Sequence, residues 1–142
     1  MDERQNQRKL ERTVSLTQVQ LDELVRVAKD ALPNESCAIL LGTKSRIAEI
    51  LPMRNADVSP LTFSIDPAEL IQVYDLAESK GLEVIAIFHS HPSRPSPSGT
   101  DRKFMEINPV VWIIYSTIEE NMKAYVYDED VKEISIKITA MG

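Results

Sequence analysis

Val84-Ile85-Ala86-Ile87-Phe88-His89-Ser90-His91 joins five consecutive apolar residues to a His-X-His, and this junction decides the fold. An apolar run without polar alternation predicts a strand buried on both faces, central in a sheet that helices cover. Strand side chains alternate, so His89 and His91 project to one side and Ser90 to the other. They are the only two histidines in the chain. Two imidazoles on one side at the end of a rigid strand can share a metal ion.

Immediately downstream the chain reads Pro92-Ser-Arg-Pro95-Ser-Pro97-Ser98-Gly-Thr-Asp101. The prolines forbid regular structure and stiffen the return of the chain. Ser98 is a good helix N-cap, and Asp101 falls three residues later, in the first turn. A short, stiff loop can therefore carry a carboxylate back toward the imidazoles. Two histidines and one carboxylate leave a coordination position open, as in catalytic rather than structural zinc sites.

Each part also has a plainer reading. A His-X-His is commonly a packing feature, and Ser98-X-X-Asp101 is a capping box in its own right. The two roles of Asp101 are compatible, since a carboxylate has several lone pairs. Pro92-X-X-Pro95 matches a polyproline ligand, but strand and helix pin both ends of that loop. Glu35, taken alone, is an acid after a turn.

Working outward, Thr13 to Leu16 reads as a first strand and Thr17-Gln-Val-Gln20 as a capping box. The helix behind it places Leu21, Leu24, Val25, Ala28 and Leu32 on one stripe, and Pro33 ends it. Cys37 to Leu41, a turn over 42–45 and Ile47 to Leu51 form a hairpin. Met53 to Leu61 is a loop and Thr62 to Ile65 a brief strand. Asp66-Pro67-Ala-Glu69 opens a second helix with Leu70, Val73, Tyr74 and Ala77 inward and Gly81 as its stop. Phe104 and Met105 face inward on the helix begun at Ser98. Val110 to Tyr115 is a second buried strand, and two alternating strands, Met122 to Tyr127 and Val131 to Ile138, close the chain. The class is α/β, a mixed sheet flanked by helices.

The 142 residues are 43% apolar and 27% charged, which fits one globular domain over 12–142 behind a mobile polar tail over 1–11. No apolar run has the length of a membrane span. The net charge of −6 and the lack of a basic run argue against nucleic acid as a partner. Cys37 is the only cysteine, so a reducing, cytoplasmic setting is the simplest expectation. Its place in an apolar run makes it a buried thiol rather than a nucleophile. Neither a deaminase H-x-E with C-x-x-C nor H-E-x-x-H is present.

Glu35 before a strand, then His89-Ser90-His91-Pro92, then Ser98-X-X-Asp101, resembles the JAMM motif of the MPN+ metalloproteases, and the order of elements is similar from Val14 to Ile138. The resemblance implies a cytidine-deaminase-like JAMM/MPN fold and zinc (Zn2+) held by His89, His91 and Asp101. It implies Glu35 as general base and Ser98 as hydrogen-bond donor to the oxyanion. Such enzymes are isopeptidases that release ubiquitin or ubiquitin-like modifiers from lysine, and some trim modifier precursors. The small single-domain archaeal and bacterial forms, and the core of the proteasomal deubiquitinase, are the most similar, so conjugates of a modifier and association with a proteasome are the expected partners. The modifier tail is expected along a sheet edge, gripped by the Met53–Leu61 loop.

Two departures from the family stand out. The His91–Asp101 spacing is one residue shorter than the common pattern, within the proline loop. The short segment from Met105 to Pro109 has no room for the zinc-bearing insertion that accompanies strict linkage choice. Two rival functions use the same residues or the same fold. A non-haem iron oxygenase also employs two histidines and a carboxylate. A catalytically silent MPN scaffold would only bind partners, and would have no need of this residue set.

Overall fold

The structure is a computed structural model and describes residues 13–140 apart from Ser45. The expected tail over 1–11 lies outside the described residues. Within them the order is β1 (Thr13–Thr17), α1 (Gln18–Ala31), β2 (Cys37–Thr43), β3 (Arg46–Met53), α2 (Pro67–Ser79), β4 (Glu83–His91), α3 (Gly99–Ile107), β5 (Val111–Ser116), β6 (Asn121–Asp128) and β7 (Asp130–Thr139). The sheet is mixed. β2 pairs antiparallel with β3 and β4, β4 runs parallel to β5, and β5-β6-β7 is an antiparallel meander. β1 then lies parallel to β7 over five residue pairs and meets β3 at Ser15–Arg46, closing the strands into a ring.

The pleat sorts the core into two sides. One apolar cluster takes Ala38 and Leu40 from β2, Ala86 and Phe88 from β4, Ile113 and Tyr115 from β5, and Leu24 and Ala28 from α1. On the opposite face Ile39 and Leu41 pack against Val73 and Ala77 of α2, while Ile87, Trp112 and Ile114 pack with Met105 of α3. By alternation from Ile87, His89 and His91 fall on this second face, beneath α3. Burying an aliphatic side chain of this kind stabilises by about 1.5–3 kcal/mol, so the strand that carries the histidines is among the best-anchored in the fold.

Local signals place the helices. The Thr17 hydroxyl accepts from the Gln20 N–H (3.1 Å) and the Gln20 side chain accepts from the Thr17 N–H (2.9 Å), completing the capping box. Asp66 caps α2 by accepting from the Ala68 N–H (2.8 Å). Gly81 follows α2 at φ +68°, in the left-handed region that suits glycine.

The observed structure departs from expectation at several points. β2 runs through the expected turn at Gly42, where a bulge brings the chain so close to the Arg46 carbonyl that no side chain would fit. Thr62 to Ile65 is not a strand. The Asn55 amide donates to the Thr62 carbonyl (3.0 Å) and accepts from the Ser64 N–H (3.2 Å), taking the place of a neighbouring strand. Leu32 lies beyond the end of α1 and is 50% exposed; Tyr74 and Phe104 are 44% and 37% exposed. On α2 and α3 the buried line runs through Val73–Ala77 and Asp101–Met105. Each exposed aromatic is one residue, about 100° of helix, away from that line.

Candidate active site

β4 delivers both histidines with their rings buried. His89 Nε2 and His91 Nε2 lie 2.9 Å apart, and Asp101 Oδ2 lies 3.1 Å from the first and 3.0 Å from the second. The shortened proline loop thus still returns Asp101 to the imidazoles. It is pinned midway by the Tyr125 hydroxyl, which donates to the Pro95 carbonyl (2.7 Å). Pro95 is buried, which removes the polyproline-ligand reading.

Ser98 and Asp101 also form the capping box. Ser98 Oγ accepts from the Asp101 N–H (3.1 Å), and the Ser98 N–H donates to Asp101 Oδ2 (2.9 Å). The plainer role and the site role therefore coexist in Asp101. Ser98 is exposed, and its hydroxyl proton is not consumed by the cap.

Glu35 lies just ahead of β2 and is buried, with one carboxylate oxygen and a ring nitrogen of each histidine all within 4.8 Å of one another. Its own backbone is held by a neighbouring loop: its N–H donates to the Ser59 carbonyl (2.8 Å) and its carbonyl accepts from Asn55 Nδ2 (3.0 Å). The next residue, Ser36, is tied to the histidine strand. The Ser36 N–H and hydroxyl both reach Ser90 Oγ at 2.9 Å, and the Ser90 N–H donates to the Ser36 carbonyl (3.1 Å). Ser90, pointing away from the imidazoles, thereby joins the Glu35 segment to β4.

Electrostatics divides the four groups. Burial pushes the Glu35 carboxyl up to about 7, against an opposing pull from His91. Burial also works to raise Asp101, but its bonds to His89 and His91 and the Ser98 N–H outweigh this and hold it well below the usual carboxylate range. Burial lowers His89, favouring the neutral ring with a free lone pair. Cys37, by contrast, is pushed up to about 12, mainly by burial, as expected of an inert thiol.

The donor set fits a zinc ion. A tetrahedral ion bonded at 2.0–2.1 Å sets its donor atoms about 3.3 Å apart, close to the 2.9–3.1 Å edges here. An ionised carboxylate and two imidazole nitrogens converging this closely are able to hold a cation between them. Burial works to lower His91, but its bond to Asp101 and the nearby carboxylates outweigh this and raise it. In the neutral ring that a metal ion requires, Nδ1 donates to the Arg94 carbonyl (3.2 Å) and Nε2 carries the lone pair. His89 Nδ1 is buried with no partner among the described residues. Aromatic contacts hold that ring instead: Phe63 stacks on it at 4.5 Å and 22°, and Trp112 meets it edge-on at 5.9 Å. None of Asn55, Ser36, Phe63, Trp112 or Tyr125 stands out in the sequence, since each acts through a partner set by tertiary packing.

Residues 17–128 match the family model described as prokaryotic homologs of the JAB domain. A protein of Pyrococcus furiosus named desampylase is 38% identical over 105 residues, covering 73% of this chain and 74% of its own. A Thermus thermophilus protein named probable TtuB-protein conjugate cleaving protease is 31% identical over 99 residues, 68% of this chain and 64% of its own. Among solved structures, one from Desulfitobacterium hafniense superposes with a TM-score of 0.80 at 30% identity, covering 90% of this chain and 94% of that one. A JAB1/MPN domain protein from Archaeoglobus fulgidus shares the fold, with a TM-score of 0.57 at 24% identity over 87% of this chain and 95% of its own. With its mixed sheet, its covering helices and its histidine strand at the centre, the chain belongs to the prokaryotic homologs of the JAB domain.

Proposed function

We propose that this protein is a zinc-dependent isopeptidase that hydrolyses the bond between the C-terminus of a ubiquitin-like modifier and a substrate lysine. The observation that carries the proposal is the convergence of His89, His91 and Asp101 within 3.1 Å of one another, with buried Glu35 beside them. The names of the relatives, a desampylase and a conjugate cleaving protease, support the substrate class.

His89 Nε2, His91 Nε2 and Asp101 would hold the ion, with the Arg94 carbonyl orienting the His91 ring. When bound, zinc supplies a Lewis acid that polarises the scissile carbonyl and makes an attacking water more acidic. The Glu35 carboxylate accepts the proton from that water and passes it to the departing lysine amine. In the metal-free chain burial raises this carboxyl to about 7, and a buried carboxyl of this kind is a suitable carrier for both transfers. Ser98 Oγ–H donates to the developing oxyanion while Oγ continues to accept from the Asp101 N–H.

The direct test incubates zinc-loaded protein with a panel of ubiquitin-like proteins joined through their C-termini to a lysine side chain, with and without chelator. Chelator-sensitive release of intact modifier is expected; a panel that stays uncleaved with zinc bound would favour a silent scaffold. Ser98→Ala is expected to lower kcat by about 100-fold and stability by about 1 kcal/mol through the lost cap, with zinc content unchanged. Unaltered kcat in that variant would leave Ser98 as a cap alone.

A further inference from the structure

We propose that Asn55 is a positioning residue for this reaction, holding Glu35 in place beside the two imidazoles; the inference rests on the reading of Glu35 as the proton carrier. Glu35 lies two residues before β2 begins, so no strand ladder fixes its peptide groups. Both are bound instead by the segment from Asn55 to Ser64. The Glu35 carbonyl accepts from Asn55 Nδ2 (3.0 Å), and the Glu35 N–H donates to the Ser59 carbonyl (2.8 Å).

That segment is in turn built around the Asn55 side chain. Nδ2 donates a second time, to the Thr62 carbonyl (3.0 Å), and Oδ1 accepts from the N–H groups of Asp57 (3.0 Å) and Ser64 (3.2 Å). Two donors and two acceptor sites are the whole capacity of an asparagine amide, and all four are engaged. The same segment supplies Phe63, which stacks on His89 at 4.5 Å. One amide therefore fixes the loop and couples it to the residue that bears the base.

Asn55→Asp keeps the acceptor half of this network and removes the donor half. A carboxylate still accepts from Asp57 and Ser64, but it has no N–H to give to the Glu35 carbonyl or to the Thr62 carbonyl. The variant and wild type are compared for zinc content, for kcat and KM on a ubiquitin-like protein joined to a labelled lysine peptide, and, without substrate, for backbone amide exchange. The expected result is a kcat lowered about tenfold or more, since small misplacement of a reacting group is costly, with KM within about twofold and zinc content unchanged. The Glu35 amide should exchange about tenfold faster while the Phe88 amide, inside β4, keeps its protection. Wild-type kcat together with wild-type exchange at Glu35 overturns the proposal, as does a loss confined to KM. An active Glu35→Gln protein would instead remove Glu35 as proton carrier. An inactive Glu35→Gln beside a fully active Asn55→Asp would sink the role of Asn55 alone.

Discussion

Glu35→Gln is expected to keep zinc at the wild-type stoichiometry while turnover of a modifier–lysine conjugate falls by at least about 100-fold, the usual loss when a proton-transfer group is removed. The substitution preserves shape and leaves His89, His91 and Asp101 untouched, so a large loss would isolate proton transfer from metal binding. It should also stabilise the metal-free protein, in one pH window only. The Glu35 carboxyl is raised by burial from 4.5 to about 7, so between those values the folded chain holds a proton that the unfolded chain has released. Folded stability from this group is then fully present below about 4.5 and is lost as pH rises through 7. Glutamine does not titrate. At pH 4 the two metal-free proteins should melt alike. At pH 8 the variant should be more stable, on the order of 1–2 kcal/mol once screening by solvent is allowed for. Equal stability at pH 8 would mean that the carboxyl is not strained by burial. Full turnover would mean that another group moves the proton.

Much of this arrangement was legible because it depends on short-range rules. Alternation along 84–91 places both histidines on one face, and the Ser98 and Asp66 caps fix where α3 and α2 begin. A stiff three-proline loop predicts that Asp101 comes back to the strand, even with one residue fewer than usual. What could not be read depends on contacts between distant segments. Phe63 is 26 positions from the ring it stacks on, and Asn55 is 20 from the carbonyl it binds. Thr62 to Ile65 has strand-like composition, yet a side-chain amide takes its hydrogen bonds. The closing of the sheet through β1 and β7 joins chain ends that no local pattern relates. Glu35 is intermediate: only the resemblance distinguished it from a surface acid, because its burial is created by a loop some 20 residues later.

His89→Ala should lose zinc entirely and turnover with it, yet the metal-free chain should still fold. The ring is fully buried and flanked by Phe63 and Trp112, and its Nδ1 has no hydrogen-bond partner among the described residues. An unpaired buried polar nitrogen destabilises a fold by about 1–3 kcal/mol, so packing alone gives poor grounds for a histidine at this position. Removing the ring opens a cavity and takes away the His89–Asp101 contact at 3.1 Å, but it also removes that unsatisfied atom and the crowding of the two ring nitrogens. These effects oppose each other, so the metal-free variant should lose only about 1–2 kcal/mol, less than an apolar side chain of similar size truncated in a core. Zinc binding is different in kind, because only His91 and Asp101 would remain of the converging triangle. The difference in melting temperature between zinc-loaded and chelated protein should therefore vanish in the variant and persist in wild type. One tightly held zinc per chain in His89→Ala would show that the ion is bound by other groups, and the roles given to Asp101 and Glu35 would fall with the assignment of His89.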